Sequence, residues 1–228
     1  MDCAVIVAAG RGTRMGPGVD KLFLEVAGAP VVAHTWRRFD EHPAIRSVVL
    51  VIRPDLESVF DEMAVELGIR KPYSLVAGGK ERQDSVWNGL AALPTGCQVV
   101  AIQDGARPCT DPDLIARCLA AARKTGASVA GQKATDTIKE ADAQGMIAKH
   151  LDRTKLWAVQ TPQCFRVEVI RRALNAVRDQ GLQITDDTAA CDLIGQPVEL
   201  VEGKAPNPKV TLPSDLPYVE LVLKQSLG

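Results

Sequence analysis

A glycine-rich segment that carries fixed positive charge is the clearest chemical feature of the sequence. An apolar run of strand length, Ala4 to Ala9, leads into four glycines, two arginines and a lysine: Gly10, Gly12, Gly16, Gly18, Arg11, Arg14 and Lys21. Glycine lets backbone N–H groups approach anionic oxygens, and the cations offset the charge of those oxygens. The segment therefore predicts a polyphosphate site. The alternative is a glycine-rich turn whose cations are solvated.

Two common phosphate-binding loops do not fit this segment. The dinucleotide fingerprint G-x-G-x-x-G requires a third glycine where Met15 stands, which excludes a dehydrogenase of that type. The P-loop requires Gly-Lys-Ser/Thr, but Gly203-Lys204 is followed by Ala205. The segment instead resembles the signature A-A-G-x-G-x-R-M, followed by a lysine, of sugar-nucleotide pyrophosphorylases and cytidylyltransferases. The matching residues are Ala8, Ala9, Gly10, Gly12, Arg14, Met15 and Lys21.

A lone acid, Asp104, follows the apolar run Val99 to Ile102. Mg²⁺ takes one or two carboxylates and completes its shell with phosphate oxygens, so Asp104 is a candidate metal ligand. The alternative is that Asp104 caps a turn, as aspartate before glycine often does. Arg107, three residues later, either binds a second anion or pairs with an acid.

A second glycine loop, Gly78-Gly79, precedes a predicted helix with Arg82 and Ser85 in its first turns. Its backbone can bind a base edge or a phosphate, or it forms an ordinary tight turn. Lys209, taken alone, reads as a surface lysine in a strand-like Lys-Val-Thr run.

The composition bounds the class of protein. The 228 residues carry 27 basic and 28 acidic side chains, a net charge of −1, which argues against a large nucleic-acid surface. No apolar stretch approaches the ~20 residues of a membrane span, and the start lacks the basic region of a signal peptide. The six cysteines form no C-x-x-C and, with the histidines, no zinc pattern, so we expect reduced thiols and a cytoplasmic protein.

Strand-like and helix-like segments alternate along most of the chain. The predicted strands are Ala4–Ala9, Val48–Ile52, Ser74–Val76, Val99–Ile102, Ser128–Ala130 and Val198–Val201. Helices are predicted between them, with Val59 among the inward residues of the helix after Pro54. This alternation predicts one α/β domain over residues 1–228, with a doubly wound, mostly parallel, Rossmann-like sheet. Ligands of such sheets bind beyond the carboxyl ends of the strands, where both glycine loops and Asp104 fall.

The segment 132–160 interrupts the alternation. It is more polar, and Ala-Asp-Ala-Gln-Gly at 141–145 suits a hairpin turn between Ile138 and Met146. We expect a protruding β arm; the alternative is an ordinary surface loop.

Eight motifs in one order give a closer resemblance over about residues 3 to 223. They are A-A-G-x-G-x-R-M, G-G-x-x-R-x-x-S, D-x-A-R-P, D-T-I-K, D-R-x-x-L-W, Q-T-P-Q-x-F, T-D-D and V-E-G-x-x-x-N-x-K-V-T. Together they resemble the 2-C-methyl-D-erythritol 4-phosphate cytidylyltransferase family. The resemblance implies transfer of CMP from CTP to methylerythritol phosphate with Mg²⁺, by direct attack of the substrate phosphate on the α-phosphorus.

The resemblance also implies roles for individual residues. Arg14 and Lys21 match the catalytic positions. Positions for CTP are matched by Ala8, Ala9, Gly10, Gly12, Gly79, Arg82, Ser85 and Asp104, of which Asp104 also matches the metal ligand. Positions for the second substrate are matched by Arg107, Thr137, Arg153, Thr161, Thr185 and Lys209. Thr137, Arg153 and Thr161 match arm residues that reach a partner subunit's site, which implies a homodimer with composite active sites.

Three positions depart from the family pattern. Asp20 stands where proline is usual, and either weakens the field of Lys21 or pairs with Arg11. Gly105 replaces a common alanine, which implies a looser loop, and Lys80 replaces a frequently acidic residue.

Two rival functions stay open. A ribitol-5-phosphate cytidylyltransferase shares the fold, the CTP site and the arm. A non-catalytic CTP-binding module is the other, although intact Arg14, Lys21, Asp104 and Lys209 argue against it.

Overall fold

The computed structural model describes residues 1–10 and 20–225. Its strands are β1 (Asp2–Val7), β2 (Glu25–Val26), β3 (Ala29–Pro30), β4 (Ile45–Ile52), β5 (Tyr73–Ala77), β6 (Val99–Asp104), β7 (Ala127–Lys133), β8 (Lys139–Ala141), β9 (Ile147–His150), β10 (Trp157–Arg166) and β11 (Glu199–Glu202). Its α-helices are α1 (Val31–Glu41), α2 (Glu57–Leu67), α3 (Arg82–Ala91), α4 (Pro112–Thr125), α5 (Val167–Asp179), α6 (Ala189–Asp192) and α7 (Leu216–Gln225).

Seven strands form the central sheet, in the order β11-β7-β10-β6-β1-β4-β5. Strands β4 and β6 flank β1 and run parallel to it, β5 runs parallel to β4, and β11 runs parallel to β7. Strand β10 runs antiparallel to both of its neighbours, β6 and β7. The predicted mostly parallel sheet is confirmed. The chain adds β4 and β5 on one side of β1 and then crosses to β6 on the other, which makes a topological switch point at β1 and β6.

Helices cover both faces of this sheet, as the doubly wound prediction required. Along β1, alternate side chains enter different cores: Ile6 lies in the core that contains Trp36 and Phe39 of α1, and Val5 lies in the core that contains Leu90 of α3. Helices α2, α4 and α7 share the first core, and α5 and α6 share the second. Within the described part of the chain, no helix combines the length and apolar character that crossing a membrane requires.

The structure differs from the sequence-based prediction in two details and adds a third. Val59 is 37% exposed, because a 3₁₀ turn at Pro54–Leu56 precedes α2 and the inward positions of α2 are Phe60, Met63 and Ala64. Lys209–Thr211 belongs to no strand; Val210 N–H donates to the carbonyl of Ala106 (2.9 Å) from an extended loop. Strand β10 lies where the sequence pattern assigned no element, and its register with β7 shifts between Val159 and Gln163.

The polar segment contains the predicted hairpin. Strands β8 and β9 pair antiparallel, apart from the central sheet. Asp142 closes the turn, since its carboxylate accepts the N–H groups of Gln144 (3.0 Å) and Met146 (2.8 Å), and Gly145 takes a positive φ of 81°. Residues 139–150 are exposed throughout, and Met146 and Ile147 expose 67% and 59% of their surface.

Candidate functional site

A cleft lies beyond the carboxyl ends of β1 and β6, at the switch point of the sheet. It encloses about 370 Å³. Its lining residues are Val7, Ala9, Gly10, Lys21, Leu22, Gly79, Lys80, Glu81, Arg82, Ser85, Asp104, Gly105, Ala106 and Lys209. Ala9 and Gly10, which open the first glycine loop, therefore meet the second glycine loop and Asp104 in one site, as their positions after strands predicted.

The second glycine loop packs closely against Ala9, and both are anchored at the end of β4. Gly78 N–H donates to the carbonyl of Ile52 (2.8 Å), and a Cβ on Gly78 would lie only 2.3 Å from the Cβ of Ala9. Glycine is needed at 78 because no side chain fits between the loops. Gly79 N–H donates to the hydroxyl of Ser85 (3.0 Å), which itself donates to the carbonyl of Glu81 (3.2 Å). Ser85 thus fixes the loop that opens α3.

Asp104 forms the floor of the cleft, with only 13% of its side chain exposed. Three cations surround it: Lys209 Nζ at 2.6 Å, Arg82 Nε at 3.5 Å and Arg107 Nε at 3.9 Å. Burial alone would raise the pKa of Asp104, but Lys209, Arg82 and Arg107 outweigh it and hold the pKa of this carboxyl below its usual value. Asp104 is therefore an ionised carboxylate at neutral pH, in a cationic setting.

The loop after β11 completes the cationic wall. Val210 N–H bonds to the carbonyl of Ala106, and the carbonyl of Val210 accepts Lys21 Nζ (3.0 Å). These contacts place Lys21 and the neighbouring Lys209 on the same side of the cleft. Lys209, which alone read as a surface lysine, is an ion-pair partner of Asp104 with 35% of its side chain exposed.

Asn207 is a buried organiser of this loop that sequence reasoning missed. Its amide donates to the carbonyl of Thr161 (2.8 Å), its side-chain oxygen accepts from Thr110 (3.1 Å), and its backbone carbonyl accepts from Arg107 (2.6 Å). The signal was present, because Asn207 stands in the motif V-E-G-x-x-x-N-x-K-V-T. Its role was invisible because its partners are distant in sequence.

A second missed residue is Asp187, in the T-D-D motif of which only Thr185 was assigned. Asp187 is fully buried, and its Oδ2 accepts from Arg82 Nη1 at 2.8 Å. Burial raises the pKa of Asp187 above its usual value, and the guanidinium of Arg82 opposes that rise. Thr185 itself is exposed on the turn that leads to Asp187.

The remaining predicted residues divide between the cleft and the arm. Ala8 is buried beneath the cleft, and its N–H donates to the carbonyl of Val51 (2.7 Å). Thr137 and Arg153 are exposed on the arm, where Arg153 donates to the carbonyl of Thr135 (2.7 Å). Gly12 and Arg14 lie outside the described residues.

The expectation that Thr161 projects from the arm is wrong. Thr161 lies in the part of β10 that enters the sheet and is 3% exposed. Its hydroxyl accepts the N–H of Asp104 (3.1 Å) in the same chain. Thr161 therefore supports the floor of its own cleft.

Two of the departures from the family pattern have clear structural consequences. Asp20 pairs with Arg53, with Nη1 to Oδ2 at 2.7 Å. Gly105 does not loosen its loop, because its N–H donates to the carbonyl of Val7 (2.9 Å) and its carbonyl accepts from Thr35 (2.9 Å). The expected loosening at Gly105 is therefore wrong.

The chain is similar to known proteins over nearly its whole length. A family model described as "IspD: 2-C-methyl-D-erythritol 4-phosphate cytidylyltransferase" matches residues 2–225. A protein of that name from Pelotomaculum thermopropionicum is 43% identical over 226 residues, which cover 99% of this chain and 95% of the relative. One from Synechococcus elongatus is 43% identical over 221 residues, with 97% and 95% covered.

Solved structures give the same result. The 4-diphosphocytidyl-2C-methyl-D-erythritol synthase of Anaerococcus prevotii superposes with a TM-score of 0.87 at 28% identity, over 98% of this chain and 96% of that one. The 2-C-methyl-D-erythritol 4-phosphate cytidylyltransferase of Thermus thermophilus gives 0.77 at 30% identity, over 98% and 100%. The similarity runs through both walls of the cleft.

Proposed function

The chain belongs to the 2-C-methyl-D-erythritol 4-phosphate cytidylyltransferase family, and we propose that its cleft is where CMP passes from CTP to methylerythritol phosphate. The observation that carries this assignment of the site is the arrangement around Asp104. One ionised carboxylate shares the cleft with Gly10 and Gly79, and Lys209, Arg82 and Arg107 surround it. Backbone donors and cations on three sides suit a triphosphate and a second phosphate brought against it.

The reaction needs positioning more than covalent chemistry. A phosphate oxygen of methylerythritol phosphate forms a bond to the α-phosphorus of CTP, and the bond from that phosphorus to the bridging oxygen breaks, so that pyrophosphate leaves. We propose that Arg14 and Lys21 hold the triphosphate and stabilise the charge that develops on the α-phosphate. Ala9, Gly10, Gly79 and Ser85 hold the cytidine half. Arg107, Thr185 and Lys209 hold the attacking phosphate and its polyol.

The residues of the cleft fit a divalent cation, and we propose Mg²⁺ at Asp104. Within residues 1–10 and 20–225, no cluster of three or more His, Cys, Asp or Glu side chains is arranged to hold a metal. A single carboxylate on the floor of a phosphate site is sufficient for Mg²⁺, which keeps waters and takes phosphate oxygens as its other ligands. When bound, Mg²⁺ would withdraw charge from the phosphates and so favour attack on phosphorus.

The assignment is tested by pyrophosphate release. The purified chain is given CTP and Mg²⁺ with methylerythritol phosphate or with ribitol 5-phosphate, in parallel. We expect pyrophosphate release only when the second substrate is methylerythritol phosphate. Release only with ribitol 5-phosphate would make that compound the second substrate and leave the fold and the mechanism unchanged. CTP binding without release from either would instead support a binding module.

We also propose that the chain forms a homodimer through segment 132–160. Support comes from the exposed apolar side chains of the arm: Met146 and Ile147 lie 67% and 59% exposed on the hairpin, and Val159 is 42% exposed at its base. A polar hairpin that has so little of its own chain to pack against gains stability from a second copy. In such a dimer, Thr137 and Arg153 would reach the cleft of the partner.

The composite site predicts complementation between two impaired variants. Lys21→Ala impairs the chain's own cleft, whereas Arg153→Ala impairs the cleft of its partner. After subunit exchange, half of the dimers are mixed and each holds one intact site, so turnover should recover to about a quarter of the wild-type rate. Each variant incubated alone is the control. A mixture no faster than the average of the two variants, with exchange verified by a mass tag, would contradict the shared site.

We further propose that the protein works in a reducing compartment such as the cytoplasm. All six cysteines are free thiols, and five of them are buried. Thiols of this kind persist where cellular reductants keep them reduced, and the proposed substrates are soluble phosphates.

A further inference from the structure

Arg82 is the only residue of the described chain that bridges Asp104 to a second carboxylate. Its Nε lies 3.5 Å from Asp104 Oδ1, and its Nη1 lies 2.8 Å from Asp187 Oδ2. The shorter contact is the one with Asp187, which does not line the cleft. Asp187 therefore determines the direction in which the guanidinium is held.

Burying the charged Asp187 side chain costs free energy, and hydrogen bonds from the surrounding chain fix its position. It is fully buried, and its Oδ1 has no hydrogen-bond partner in the structure. Its backbone N–H donates to Gln163 Oε1 (3.0 Å), and Gln163 Nε2 donates to Asp186 Oδ2 (3.0 Å). Gln163 is itself 2% exposed in β10. A buried carboxylate with one oxygen unbonded destabilises a fold unless an ion pair offsets the cost of removing its charge from water. The partner in that ion pair is Arg82.

The position of Arg82 shows what this costly contact achieves. Arg82 begins α3, directly after the glycine loop, and lines the cleft with 31% of its side chain exposed. An arginine that faced only Asp104 would have no fixed partner once that carboxylate engaged other groups. With Asp187 behind it, the guanidinium keeps its place while its other edge faces the cleft.

We propose that Asp187 is a positioning residue for CTP: it holds Arg82 against the cleft and ties the turn that carries Thr185 to the wall that carries the second glycine loop. This inference rests on the proposed function, because it assigns Arg82 to the nucleotide. It extends that function to a side chain that never faces the cleft itself. Asp187 acts through Arg82 alone, so removing either partner should weaken CTP binding in the same way.

The test is a double-mutant cycle on CTP binding, measured by calorimetry with CTP and Mg²⁺ and no second substrate. Asp187→Asn keeps the size of the side chain but removes its charge, and Arg82→Ala removes the group it positions. We expect each variant to weaken CTP binding about tenfold, and the double variant to bind no more weakly than Arg82→Ala. Effects that multiply in the double variant would overturn the proposal, since they would show that Asp187 acts independently of Arg82.

Asp40→Asn is the matched control for a merely structural role. Asp40 is also a buried carboxylate, 4% exposed, and it accepts the N–H groups of Arg70 (3.2 Å) and Lys71 (2.9 Å) away from the cleft. We expect Asp40→Asn to lower the melting temperature while leaving CTP binding unchanged. Asp187→Asn with wild-type CTP affinity would overturn the positioning role. Failure of the function itself is distinguishable, because then the wild type and Asp40→Asn would also release no pyrophosphate from CTP and methylerythritol phosphate.

Discussion

Replacing Lys21 by alanine is expected to lower kcat by about 10²–10³-fold, the usual cost of losing one well-aimed donor to developing charge. Lys21 lines the cleft, and its ammonium is directed along the wall by the carbonyl of Val210 at 3.0 Å. In the proposed complex, an ammonium at this point faces the triphosphate of CTP. Most of the loss should appear in kcat, because the charge on the α-phosphate grows as pyrophosphate leaves.

Lys80→Ala is the matched control for this prediction. Lys80 lines the same cleft but is exposed on the second glycine loop. Its replacement should change kcat by less than about threefold, since an exposed charge is screened by solvent. Pyrophosphate release under saturating CTP measures both variants. Near-normal turnover of Lys21→Ala with unchanged CTP affinity would show that its assigned role is wrong.

Asp104→Asn is expected to be as severe, with a loss of at least about 10²-fold in kcat that added Mg²⁺ does not restore. The amide is a poorer ligand for a divalent cation and leaves Lys209, Arg82 and Arg107 without their shared carboxylate. The matched control is Asp2→Asn. Asp2 is a buried carboxylate at the opposite end of the sheet, paired with Arg123 at 2.6 Å. Turnover is followed over a range of Mg²⁺ concentrations, and a kcat equal to that of Asp2→Asn would exclude Asp104 as a metal ligand.

The same variant has a stability signature that needs no substrate. The pKa of Asp104 is lower in the folded chain than in the unfolded one, so its ionisation stabilises the fold above the unfolded pKa of about 4. That stabilisation is lost as the pH falls through the folded pKa. We therefore expect Asp104→Asn to lower the free energy of unfolding by about 2 kcal/mol at pH 7. The difference should shrink below pH ~4, as the wild-type carboxyl takes up its proton. Denaturant titrations at several pH values measure it, and a difference independent of pH would contradict the ion-pair account.

The sequence predicts those residues of the cleft that belong to a local pattern, such as a strand end or a glycine pair. Val99 to Ile102 is a continuous apolar run, so its burial as a parallel strand and the position of Asp104 beyond its end follow from the chain itself. Gly78 is likewise recognisable, since a glycine pair before a helix is a local signal. The aligned motifs add Lys209, which composition alone places on the surface.

Local patterns do not predict contacts between residues that are far apart in the sequence. Arg82 and Asp187 are 105 residues apart, and Arg107 and Asn207 are 100 apart, so each pair is defined only once the sheet has formed. Thr161 also shows that a motif does not give the three-dimensional position of a residue. Its motif places it next to the arm, but the register of β10 against β6 carries it into the sheet. Residues whose partners lie far along the chain depend on tertiary packing, which periodicity does not encode.

The position of β10 affects the order in which the central sheet can assemble during synthesis. Strand β6 pairs with β1 on one edge, but its other edge is covered by Gln163–Arg166, more than fifty residues later. While a ribosome is still synthesising the arm, β6 is the open edge of a four-stranded parallel sheet, and Lys209 has yet to be made. Open edges of this kind recruit other unpaired strands. We therefore expect a nascent chain to expose this edge until β10 pairs with β6, and Asp104 to gain its contact with Lys209 only after that.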